Sequence, residues 1–157
     1  MQLSEIFVRL GAESFTDSLK SVSIGRLKTY QLFERLKTRC HLQKLNTESL
    51  RKASPRLLER ISGGDEDLAT ELAQCMLVCH MDLIIAVLNF LEIPHEDGFF
   101  AKDTDVKAYL KEGWQKRAFD EFHDKFPRSI LLLYINHLDW ELNKSTETFN
   151  PTGATVS

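Results

Sequence analysis

The stretch between Gly63-Gly64 and Pro94 constrains this chain more than any other. It opens with Asp65, Glu66 and Asp67, carboxylates placed where the positive end of a helix dipole favours them, and then runs apolar from Leu72 to Leu91. Glu71, Gln74, Asp82, Asn89 and Glu92 fall within about 80° of one another on a helical wheel. Every other direction is mainly apolar. The pattern predicts one long central helix over about 65–93, roughly 40 Å from end to end at 1.5 Å per residue, with the rest of the chain packed around it. Asp82 sits near the middle of the run, with His80, Gln74 and Asn89 nearby. A central Asp costs about 2.5–3.5 kcal/mol to insert into a bilayer, so a buried core helix is expected rather than a membrane span.

Helical spacing continues on both sides of this stretch. Leu3, Ile6, Phe7 and Leu10 predict a short helix stopped by Gly11, and Phe15, Leu19 and Val22 a second ending near Gly25. A third is expected over 26–40, a fourth over 48–53, and a fifth over 56–61 with Pro55 in its first turn. Beyond Pro94, residues 94–104 read as a loop with the turn signal Asp97-Gly98, in which Phe99 and Phe100 are expected to anchor the loop in the core. Apolar positions from Val106 to Phe126 predict another amphipathic helix with Gly113 as its weak point or a close-packing contact. Pro127 opens the last helix, and the polar tail 144–157 is expected to be disordered. The fold class is all-α, a compact bundle of about six or seven helices. It divides into a basic helical N-terminal subdomain 1–62, an acidic helical core subdomain 65–143 and the tail.

The chain of 157 residues has the length of one domain, and its 43% hydrophobic content excludes a disordered chain. Three cysteines do not make a disulfide framework. The segment MQLSEIFVRLGAES pairs no basic stretch with an apolar run and carries Glu5 and Glu13, which is unlike a secretory signal or a transit peptide. A cytoplasmic protein without membrane attachment is expected. Helices as apolar as 72–91 and 130–142 leave a homo-oligomer open.

Catalytic and metal motifs are weak. There is no Gly-x-Ser-x-Gly elbow, no phosphate loop and no Gly-x-Gly-x-x-Gly. Cys75 and Cys79 share a helix face but lack the second ligand pair of a zinc site, and apolar neighbours make both packing residues. His137 and Glu141 stand at i, i+4, a spacing that puts two ligands on one face, and His80 projects away from the polar stripe of its helix. A helical bundle binding a metal or small ligand near His80, His137 and Glu141 is therefore the alternative reading. No cofactor is implied.

Charge carries more information. Residues 20–60 hold eleven basic and three acidic groups, a net +8, whereas residues 61–157 hold eight basic and seventeen acidic groups, a net −9. The formal charge of −3 is thus a near-cancellation, with the sign changing at Gly63-Gly64. Lys28, Arg35 and Arg39 share one helical stripe, Arg56 and Arg60 another, and Arg51 and Lys52 stand on the short helix between them. The order from Tyr30 to Ile61 has the size of a helix-turn-helix unit, although its connection is long and lacks the usual Gly. The leading expectation is a non-catalytic binding protein whose basic N-terminal face contacts nucleic acid or an acidic protein surface.

Overall fold

The computed structural model describes residues 2–22, 47–144 and 147–151, and of residues 47–50 the backbone alone. The protein is mostly helical. Among the described residues there are seven α-helices, numbered here in chain order: α1 (Leu3–Leu10), α2 (Ala12–Lys20), α3 (Thr47–Ser62), α4 (Glu66–Val78), α5 (Met81–Phe90), α6 (Trp114–Phe122) and α7 (Arg128–Asn143). A hairpin of β1 (His95–Glu96) and β2 (Phe99–Phe100) and a 3-10 turn at Val106–Tyr109 lie between α5 and α6. The predicted helix over 26–40, and with it most of the helix-turn-helix reading, lies outside the described residues. Contacts divide the chain into two units, Gln2–Cys79 and His80–Ser157, so the charge boundary at Gly63-Gly64 falls within the first unit. No single helix among the described residues is long and apolar enough to cross a membrane.

In the first unit, α1 packs on α2, α3 and α4, and α3 packs on α2 and α4. Ile6, Phe7, Phe15 and Leu19 from the apolar stripes read in the sequence, together with Leu57, Ile61, Leu68, Leu72 and Met76, supply its core and are essentially inaccessible to solvent. Full burial of one such side chain is worth about 1.5–3 kcal/mol before the entropy of ordering it is subtracted. Phe7 and Phe15 meet edge to face, ring centroids 5.3 Å apart. Ser54 on α3 is also buried, and its hydroxyl is hydrogen-bonded to that of Thr16 on α2.

Carboxylates organise the helix starts of this unit. The Leu68 N–H donates to Asp65 Oδ1 at 3.1 Å, which caps α4, while Arg60 Nη2 donates to Asp65 Oδ2 at 2.8 Å. Glu66 does not serve its own helix alone. Both of its carboxylate oxygens accept from the Ser4 N–H at 3.2 Å, satisfying a first-turn donor of α1.

Three expectations are corrected. The helix predicted over about 65–93 is two helices. α4 ends at Val78, the His80 carbonyl accepts from the Leu83 and Ile84 N–H groups to start α5, and Cys79 and His80 carry the break. Neither Gly nor Pro marks it, and each half keeps its own polar residues at the surface, with Gln74, Asp82, Asn89 and Glu92 all exposed. Residues 65–93 therefore do not form the single long helix expected. Second, the two short helices expected on either side of Pro55 are one helix, α3, with Pro55 inside it and exposed. Third, the helix expected from Val106 to Phe126 is a 3-10 turn followed by α6, divided by Gly113 in the left-handed region (φ 77°).

In the second unit α6 packs on α5 and α7, and the 3-10 turn packs on α7. The loop 94–104 contains an antiparallel hairpin in register His95↔Phe100 and Glu96↔Phe99. Its two central residues, Asp97 (φ 51°) and Gly98 (φ 93°), both have positive φ, as a tight hairpin turn matching the strand twist requires. The Gly98 N–H donates to His95 Nδ1 at 3.1 Å, which leaves Nε2 as the protonated nitrogen, donating to Asn89 Oδ1 at 2.7 Å. Phe99 and Phe100 do not anchor this hairpin in the core, being 71% and 36% exposed. The described part of the tail, 147–151, meets α7 at Asn136. Asn136 holds Phe149 through the backbone, the Phe149 N–H donating to Asn136 Oδ1 at 2.7 Å.

Asp65 joins a helix cap to an ion pair, so its loss removes both at once. Asp65→Ala is expected to destabilise the protein by about 1–2 kcal/mol, read as a lower urea midpoint with unchanged m-value. Asp65→Asn, which keeps the cap but not the charge, should recover most of that loss.

Candidate polyanion interface

Helix α3 positions the candidate residues that the structure describes. Its buried face is Ala53, Ser54, Leu57 and Ile61. Lys52, Arg56 and Arg60 follow one another at i, i+4 and i+8, each step turning about 40° around the axis, so a continuous α3 aligns them on one stripe. Lys52 and Arg56 are exposed, as is Arg51 beside them. At 1.5 Å per residue, Lys52 to Arg60 covers about 12 Å along the helix. Arg60 is half-buried and engaged with Asp65, so part of its charge is neutralised within the first unit. Lys28, Arg35 and Arg39 lie outside the described residues. Of the seven residues singled out in the sequence, the structure thus aligns Lys52, Arg56 and Arg60, places Arg51 next to them and diverts Arg60 toward an internal partner.

The alternative site does not assemble as a metal centre. His137 Nδ1 lies 3.6 Å from Glu141 Oε2, as their i, i+4 spacing required, and the His137 ring is 20% exposed and tilted against Trp140 at 5.8 Å. Among the described residues, no three His, Cys, Asp or Glu side chains are placed to hold a metal ion, so His80 is not brought to His137 and Glu141 as a ligand set. Burial holds the His137 imidazole below its ordinary pKa, and the Glu141 charge offsets only part of this. Burial lowers His80 in the same way against the opposing charge of Asp82. The Tyr134 phenol is pushed well above its usual range by burial, with Glu141 adding to the effect. These are signs of aromatic and imidazole groups enclosed in a helical core. Cys75 is buried and Cys79 half-buried, both as free thiols.

A cleft missed in the sequence lies in the second unit. It encloses about 400 Å³ and is lined by Phe90, Leu91, Glu92, Ala108, Tyr109, Lys111 and Arg117. Two cations, one carboxylate and two aromatic rings face it, but its one buried lining residue, Leu91, is apolar, so no buried polar group is aimed into it. Residues from three separate elements form this cleft, and their spacing along the chain gives no motif. Comparison with protein-family models, with curated proteins and with solved structures finds no match to this chain.

The buried histidines make stability depend on pH in a direction that can be worked out. A histidine whose folded pKa lies below its unfolded value of about 6.5 stabilises the native state above that value. The contribution is lost as pH falls through the folded pKa, because the unfolded chain takes up the proton first. The urea midpoint is therefore expected to fall between about pH 7 and pH 5. His137→Gln should reduce that fall, and an identical pH dependence in the variant would place the effect elsewhere.

Proposed function

We propose that this chain is a non-catalytic helical binding protein that docks its basic N-terminal face on a polyanion, with nucleic acid as the occupant. The observation that supports the reading is the exposed Lys52–Arg56 stripe on α3, within a segment carrying a net +8. The mechanism is electrostatic. Arg51, Lys52 and Arg56 contact phosphates, Lys28, Arg35 and Arg39 are the further candidates from the sequence, and the counterions released from the nucleic acid supply the driving force. At Arg60, meeting a phosphate competes with its pairing to Asp65. The net −9 of residues 61–157 repels phosphates within a Debye length and confines the footprint to the basic segment. Phosphate contacts fix position without reading sequence, so sequence-independent binding is the expected mode.

Fluorescence anisotropy with labelled duplex and single-stranded DNA at low salt tests this reading. Saturable binding that weakens steeply as salt rises is expected. The double variant Lys52→Glu/Arg56→Glu should bind about tenfold more weakly or worse, and its log–log salt slope should shrink by about 0.9 for each phosphate that the variant no longer neutralises. Absence of binding to both probes excludes nucleic acid. Binding to polyglutamate with the same sensitivity to the double variant would instead assign the face to an acidic protein surface.

A further inference from the structure

Helix α5 ends in a conformation that its sequence does not suit. The Ile93 N–H donates to the Leu88 carbonyl at 2.9 Å and the Glu92 N–H to the Asn89 carbonyl at 3.1 Å, so the chain turns out of the helix at Glu92, with φ 59°. Gly or Asn takes this left-handed position at little cost. Glu92 is neither, and it adds a carboxylate at the negative end of the helix dipole. Nothing in the fold compensates. Glu92 is exposed, and among the described residues no hydrogen bond or ion pair engages its side chain.

The cleft that Glu92 lines, about 400 Å³ in volume, holds charges of the other sign in the same condition. Lys111 follows the 3-10 turn and Arg117 lies on α6. Among the described residues neither side chain is hydrogen-bonded or ion-paired, although Lys116 beside Arg117 pairs with Asp120 at 2.6 Å. A carboxylate and two cations thus share one cleft without neutralising one another. With them are the rings of Phe90 and Tyr109 and the buried side chain of Leu91. Phe90 is held edge to face by Phe122 at 5.5 Å and is still 39% exposed, which makes it a fixed apolar wall.

We propose that this cleft binds a free aromatic α-amino acid as its zwitterion. The ligand's carboxylate meets Arg117 and Lys111, its ammonium meets Glu92, and its ring lies against Phe90, Leu91 and Tyr109. A simple anion would satisfy the cations but be repelled by Glu92, and a simple cation the reverse. One molecule carrying both charges satisfies all three groups. The volume lies within the range of small-molecule sites. Every lining residue belongs to the second unit, so the site is independent of the nucleic-acid reading of α3.

Two-dimensional amide NMR of the full chain titrated with L-phenylalanine tests the site. Two analogues run beside it: 3-phenylpropionate, which lacks the ammonium, and phenethylamine, which lacks the carboxylate. Saturable shifts of the Glu92, Lys111 and Arg117 amides are expected with phenylalanine, half-complete below about 10 mM. Each analogue should bind about tenfold more weakly, as should phenylalanine to Glu92→Gln and to Arg117→Gln. Glu92→Gly, relieved of the left-handed strain, should lose the ligand while its urea midpoint stays the same or rises. A lower midpoint would assign the carboxylate to the fold and overturn the proposal. Shifts that do not saturate with phenylalanine would also overturn it. So would 3-phenylpropionate binding as tightly as phenylalanine, which would make the cleft a general anion site.

Discussion

A chain cut into short helices has to satisfy many helix ends, and that constraint explains most of what is specific about this structure. Each helix leaves four N–H groups and four carbonyls without partners inside it. α1 has only Leu3–Leu10 to bury, so an unsatisfied end would weigh heavily on it. Here Glu66 reaches the first turn of α1, Asp65 caps α4 and holds Arg60, and the His80 carbonyl begins α5. The two carboxylates after Gly63-Gly64 therefore do more than complement one helix dipole. They tie α1, α3 and α4 together at a single turn.

Periodicity and breakers made the buried faces legible. Leu3, Ile6 and Phe7, and Phe15 and Leu19, are buried as their spacing implies, and Gly11 separates α1 from α2. What failed were the element boundaries that depend on backbone partners. Cys79 and His80 interrupt the hydrogen-bond ladder without disturbing the apolar pattern, since each half buries its own stripe, so the sequence reads as one helix. Pro55 reads as a helix start but sits inside α3, where its ring faces solvent and packing of Ala53, Leu57 and Ile61 outweighs the hydrogen bond it forgoes. Asp97-Gly98 was visible as a turn, but strands of two residues are too short to show alternation.

The candidate interface was legible as charge and illegible as geometry. Counting side chains located the net +8 segment, but only a continuous α3 sets Lys52, Arg56 and Arg60 at successive turns. The counting also left out internal partners, such as the one Arg60 has in Asp65, five residues away across the Gly63-Gly64 turn. A formal charge becomes a binding charge only after its internal partners are subtracted. His137 and Glu141 teach the same lesson in reverse. Their spacing brought them together as expected, but among the described residues no third side chain joins them as a metal ligand.

The helix enclosed on all sides turned out to be the last one. Every residue from Ser129 to Asn136 is buried, along with Leu138 and Asp139, so α7 has no solvent face through its middle turns. A helix in that position must account for each polar side chain it carries, because a buried polar group without a partner is costly. Asp139 accepts from Asn143 Nδ2 at 2.9 Å, and Asn136 is completed by the Phe149 backbone. Removing the tail would expose that amide to water and uncover the Phe119 ring together, turning a satisfied core position into an open polar and aromatic surface.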